Sequence, residues 1–251
     1  MTGAPGARRL ILPAAAVTAV LLCGGLAFAL TGRPASPPNP AVTATAPASP
    51  AGAASPGGQS QPRVPWMSLA SVRWSSFYGV GLPVSAQAGP FSASRGIAAG
   101  FAHTPLGALL AAVNIGVRAN AQWGPRIFTT VIRRQVTGPD AAALLAACQT
   151  AYDQAAQAGH VAGGQPLGTV HVTEQAFRWI TYTPAAAILD LAVAGPGDSG
   201  ATVRASVQME VVWDGGDWKA VAPPGGDWGN SAAALFSLAG YTAFPGQGGG
   251  R

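Results

Sequence analysis

Three histidines and a handful of carboxylates are all this chain offers for acid–base or metal chemistry. His103 stands in GFAHTPLGALLAA (100–112), immediately before a helix start; His160 and His171 lie in unrelated contexts. An imidazole can act as a general acid or base near neutral pH. A metal site needs two or three further ligands at close spacing, which these positions do not provide. His103 therefore reads as a loop ring that packs or hydrogen-bonds to orient the helix. Asp190, in AILDLAV (187–193), is the other candidate: a carboxylate in an apolar strand can be a base with a raised pKa. Glu174, His171 and Tyr182 are its only nearby helpers. Because strand faces alternate, Asp190 can equally point to a solvated face. Cys23 and Cys148 have no partner pattern and read as structural thiols. Gly195, Pro196 and Gly197 form a loop without the strand–helix context of a phosphate site. Trp74, Trp179, Trp213 and Trp218 read as core or interface rather than ligand platforms. The sequence thus assigns no catalytic, cofactor-binding or metal residue and implies no cofactor.

The elements that position these residues follow from pattern. Thr104 is an N-cap and Pro105 suits the first helical position. Leu106, Leu109, Leu110, Val113 and Val117 then recur at helical spacing, predicting a helix over 104–121. Pro139 and Asp140 open a second helix with a face of Leu144, Leu145, Cys148 and Tyr152, and Gly159 stops it. Residues 123–136 form a short helix or turn. SVRWSSFYGVGLPVS (71–85) reads as an extended segment or hairpin arm. In VRASVQMEVVW (203–213), Val203, Ala205, Val207, Met209, Val211 and Trp213 alternate with a more polar set, as in a half-buried strand. Gly215 and Gly216 turn it into DWKAVAP. QAFRWITY (175–182) and AILDLAV make another hairpin around Thr183 and Pro184, and GPGDSG (195–200) joins the two. The apolar tail, 232–244, is expected to be a short helix, with 245–251 disordered. Helices followed by four antiparallel strands give an α+β domain over 64–244. On this pattern Trp213 points inward against Leu109 and Leu110, and Gln208 and Glu210 point outward.

Upstream, residues 10–31 carry no charge and follow Arg8 and Arg9. That length fits a membrane-spanning helix of about 20 residues, with 1–9 cytoplasmic and the remainder outside. Ala27, Phe28 and Ala29 offer the alternative of a cleaved signal peptide, but the apolar run exceeds the usual length of one. Residues 32–63 are rich in Pro, Ala and Ser and lack Leu, Ile, Met and aromatics, so they cannot bury enough surface to fold. Such a tether spans about 90 Å as polyproline II or about 30 Å as a coil. Residues 1–63 carry Arg8, Arg9, Arg33 and Arg63 and no acid, so most of the net charge of +5 is theirs. A broad basic face on the domain, and with it nucleic-acid binding, is not indicated.

Helices followed by long strands closing on EVVWDGGDWKAV resemble the cone-shaped, cystatin-like fold of nuclear transport factor 2-like domains. Anchor, Pro-rich tether and such a domain together resemble assembly subunits of conjugative type IV secretion systems. GFAHTPLGALLAA and RWITYTP are similar to segments of actinobacterial membrane-anchored proteins of integrative conjugative elements. The resemblance spans roughly residues 70–223. It implies a non-enzymatic scaffold on the membrane with protein partners or self-association, and carries no catalytic residue onto this chain. The same fold also implies an alternative: an exported small-molecule binder or an isomerase-like enzyme.

Overall fold

The computed structural model describes residues 65–168, 172–196 and 201–246. The expected cytoplasmic segment 1–9, membrane helix 10–31 and tether 32–63, together with Cys23, His171 and Gly197, lie outside them. Among the described residues, no helix is long and apolar enough to cross a membrane.

A hairpin of β1 (Val72–Phe77) and β2 (Val80–Ser85) comes first, followed by a smaller one of β3 (Ser92–Ser94) and β4 (Ile97–Ala99). Three helices follow: α1 (Pro105–Arg118), α2 (Pro125–Gln135) and α3 (Ala141–Ala158). A two-residue strand, β5 (Val136–Thr137), separates the last two. The main sheet is built from β6 (Thr173–Tyr182), β7 (Ala186–Pro196), β8 (Thr202–Asp214) and β9 (Asp217–Val221), each antiparallel to the next. β5 joins its far edge parallel to β9. Register shifts in β6 between Glu174 and Ala176 and between Trp179 and Thr181 mark bulges, which bend and twist the strand. The result is a mixed α+β domain around a large curved, mainly antiparallel sheet.

α1 begins as its sequence dictates: the Thr104 hydroxyl accepts from the Gly107 N–H at 3.1 Å, and Pro105 occupies the first turn. Gly107 is a steric necessity, because a Cβ there would lie 1.9 Å from the Ala102 carbonyl oxygen. The helix ends at Arg118, short of the expected residue 121, where Asn120 caps a 3-10 turn, Ala121–Trp123. Its burial exceeds a single apolar face: Ala108, Ala111, Ala112 and Asn114 are fully enclosed along with Leu109, Leu110 and Val113. A helix apolar nearly all round is one covered on both sides. The sheet covers one side, with Gly116 seated against Met209, and the hairpins cover the other. Asn114 stitches these layers, donating to the Pro83 carbonyl at 2.9 Å and back to Leu110 at 3.0 Å.

Within 123–136, the segment expected to be a short helix or turn, Pro125–Gln135 form the three-turn helix α2, entered through Gly124. α3 buries Leu144, Cys148, Tyr152 and Ala156, one residue per turn, and the Cys148 thiol donates to the Ala119 carbonyl. Between β8 and β9, Gly215 and Gly216 adopt φ of 62° and 84°, the left-handed pair that a tight two-residue hairpin requires.

The tail departs from expectation. A 3-10 turn, Trp228–Ser231, leads into β10 (Ala232–Ala234), paired with β8 beyond the end of β9. β11 (Thr242–Ala243) pairs with the opposite edge at β6. No α-helix forms over 232–244, because two open sheet edges satisfy the segment's backbone groups instead. Between β10 and β11 the chain crosses the sheet, and Phe244 is buried against Phe177 and Trp74 at ring separations of 5.2 and 5.7 Å.

Candidate functional site

The approach to α1 is pinned to the β8–β9 hairpin. The Asp217 carboxylate accepts from the Gly100 N–H at 2.7 Å and from the Phe101 and Trp218 N–H groups at 2.9 Å each. Trp218 is fully buried and donates its indole N–H to the Ala102 carbonyl at 3.0 Å. His103 then lies face to face with Trp213, ring centroids 4.0 Å apart and planes within 7°. Its Nε2 sits 2.6 Å from the Pro184 carbonyl oxygen. A carbonyl only accepts, so Nε2 carries the proton and the imidazole is committed to a loop-to-helix clasp. His160 lies at the far end of α3, and no group of three or more metal-binding side chains occurs among the described residues. Trp213 continues the inward face of Val207, Met209 and Val211 but reaches the rim, where it is half-buried on His103. Trp218, not Trp213, is the deeply enclosed indole, and Trp213 at the rim is covered by the His103 ring and by the Trp218 ring, edge to face at 5.5 Å between centroids.

Register separates the candidate acids. Leu189, Leu191 and Val193 share the inner face, and Glu174 stands opposite Val193 while Tyr182 stands opposite Ala187. Asp190, between two inner residues, stands opposite Arg178 and Gln208 on the outer face. The sheet itself therefore lies between Asp190 and its supposed helpers Glu174 and Tyr182. Asp190 is ion-paired and hydrogen-bonded to Arg178, whose guanidinium also lies 4.8 Å from the Tyr241 ring. The pair with Asp190 raises the Arg178 pKa.

Glu174 is the chemically unusual residue. It is 4% exposed, and its Oε2 has no hydrogen-bond partner. Burial pushes its carboxyl up to about 8, so it is mostly neutral at pH 7. Burial also raises the Tyr182 hydroxyl. A row of rings shares the inner face: Phe177, Trp179, Tyr182, Trp218 and Trp213 follow one another at 5.5 to 6.5 Å between centroids.

The outer face carries a groove of about 440 Å³. Asp190, Ser206, Gln208 and Glu210 form its floor, and the segment after β9 forms its wall through Pro223, Trp228, Asn230 and Ala232. Gln208 and Glu210 are exposed, as their alternation predicts, whereas Asp190 is sheltered by the wall. The wall owes its shape to Asp227, which caps the Trp228–Ser231 turn by accepting from the Gly229 N–H at 2.8 Å. Trp228 is almost fully buried, and its indole N–H has no acceptor. Asp190, Ser206, Gln208 and Glu210 make the groove floor a hydrogen-bonding surface. Sequence reasoning missed it because pattern assigns no element to residues 224–231, which form much of the wall, and Ala232 and Ala233 fall in the tail expected to be a helix. The sequence does hold a signal, an aspartate two residues before a glycine, which fits a capped turn.

Fold and groove together define an α+β domain with an open groove, polar on its floor, on the outer face of the sheet. The chain belongs to the family described as domain of unknown function DUF8175, whose model matches residues 35–243. No curated protein and no solved structure matches it.

Proposed function

We propose that this chain is a non-enzymatic assembly protein of the cell membrane, with a nuclear transport factor 2-like domain held outside the cytoplasm. The uncharged run 10–31 serves as the anchor and the Pro-rich stretch as the tether, and the apparatus served is a conjugative, type IV secretion-like one. The observation that carries this reading is the outer-face groove, open, polar on its floor and largely apolar on its wall, built by the segment after β9 against the sheet. Its partners are proteins or further copies of the chain, not nucleic acid. The most reactive side chains support the same view, since His103 is spent on a carbonyl and a tryptophan and Asp190 on Arg178.

The test is genetic and biochemical. Full-length protein is expected in the membrane fraction, resistant to high-salt extraction, and a mature N-terminus at Leu30 would refute the anchor. Deletion of the gene is expected to lower conjugative transfer, with rescue by the wild type and not by Glu210→Arg. Equal rescue by both removes the groove from the mechanism.

One observation favours the alternative of an exported binder or isomerase-like enzyme: the neutral Glu174 carboxyl enclosed in the curved sheet. Under that reading Glu174→Gln abolishes function while leaving the fold intact.

A further inference from the structure

The charges of this chain are segregated along its length. Ten arginines precede Asp140 and not one acid does; Asp140 is the first of the nine acids. In the folded domain this leaves α2 with an exposed face of Arg126, Arg133 and Arg134 and no acid along its length. None of the three is ion-paired; the ion pairs among the described residues are Arg178 with Asp190 and Lys219 with Asp214. Positions i, i+7 and i+8 lie on one helical face, so the three guanidinium groups point the same way. Across the sheet, the groove is lined by Asp190 and Glu210 and by no lysine or arginine. Glu210 is exposed and makes no ion pair.

We infer that the outer groove receives the arginine face of α2 from a second copy of this chain, so that domains associate head to tail. The inference rests on the assembly reading above and specifies one partner within it. Arg133 and Arg134 reach Glu210, the exposed and unpaired acid of the groove floor, while the Asp190 charge is already met by Arg178. Groove and α2 are different surfaces of one domain, so the contact is heterologous and leaves an unused groove at one end and an unused helix at the other. Such contacts propagate into a ring or filament. Because the matched groups are exposed charges, association is salt-sensitive.

Sedimentation of the full chain in mild detergent tests this. Wild type is expected to self-associate at about 50 mM salt, with a dissociation constant at least tenfold weaker at about 500 mM. Glu210→Arg alone and the double substitution Arg133→Glu with Arg134→Glu alone are each expected to stay monomeric, with unchanged thermal melts. Mixed in equal amounts, they are expected to associate, because the intact helix of one meets the intact groove of the other. Monomeric wild type, or self-association that survives the double substitution, overturns the head-to-tail contact. Should wild type be monomeric while Glu210→Arg still abolishes transfer in cells, the assembly reading stands with a different partner.

Discussion

Glu174→Gln is the substitution whose effect changes most with pH. The carboxyl moves from 4.5 to about 8 on folding, through burial alone. Between these values the folded chain holds a proton that the unfolded chain has released. The stability this proton confers is fully present below pH 4.5, falls as pH rises and is gone above about 8. At about 1.4 kcal/mol per unit, the full shift corresponds to roughly 4–5 kcal/mol. Glutamine keeps the shape and stays neutral, so it removes the titration and little else. Urea denaturation followed by tryptophan fluorescence gives the free energy of each protein at acidic and alkaline pH. Every other acid is common to both proteins and cancels in the difference. The variant is expected to be close to wild type near pH 4.5 and more stable by several kcal/mol at pH 8.5. A difference that is the same at both pH values, within about 0.5 kcal/mol, shows that Glu174 ionises freely in the folded domain and refutes its enclosure.

The two tryptophans of the last hairpin separate by depth: Trp218→Ala is expected to cost about 3–5 kcal/mol in the same assay, and Trp213→Ala clearly less. Equal costs would show that Trp213 is as enclosed as Trp218. His103→Ala loses one hydrogen bond and one ring stack, for roughly 1–2 kcal/mol, and a cellular defect without a change in the melt would reveal a chemical role instead. Thr104→Ala removes only the cap, about 1 kcal/mol by urea denaturation. Gly107→Ala places a methyl group on the Ala102 carbonyl and is expected to destabilise more than any other substitution in α1 to alanine, measured by thermal melting.

Local rules make the helices and the long strands legible in the sequence. Thr104 with Pro105, and Gly215 with Gly216, fix their caps and turns through neighbours within a few residues, and both stand where pattern puts them. Alternation likewise puts Gln208 and Glu210 outward and Val207, Met209 and Val211 inward. Long-range relations are not legible in this way. The extent of burial around α1 depends on hairpins that close over it, so a helix with one evident apolar face is enclosed on both sides. Apolar residues over 232–244 fit a helix as well as a strap, and only the open edges of β6 and β8 decide between them. Asp190 and Glu174 share a hairpin and group together in sequence for that reason, yet a bulge beside Glu174 shifts the register and sets the two acids on opposite faces. The groove is half legible, since its floor follows from alternation and its wall from the irregular segment between β9 and β10.

The proposed assembly role requires the outer groove to be a protein-binding surface. A photo-crosslinking amino acid at position 208, on the groove floor and exposed, tests this inside cells. On illumination it is expected to trap a protein, with the adduct lost when Glu210→Arg is added, while the same crosslinker at the exposed Arg73 on the distant β1–β2 hairpin yields no Glu210-dependent adduct. No adduct from position 208, or one indifferent to Glu210→Arg, would contradict it.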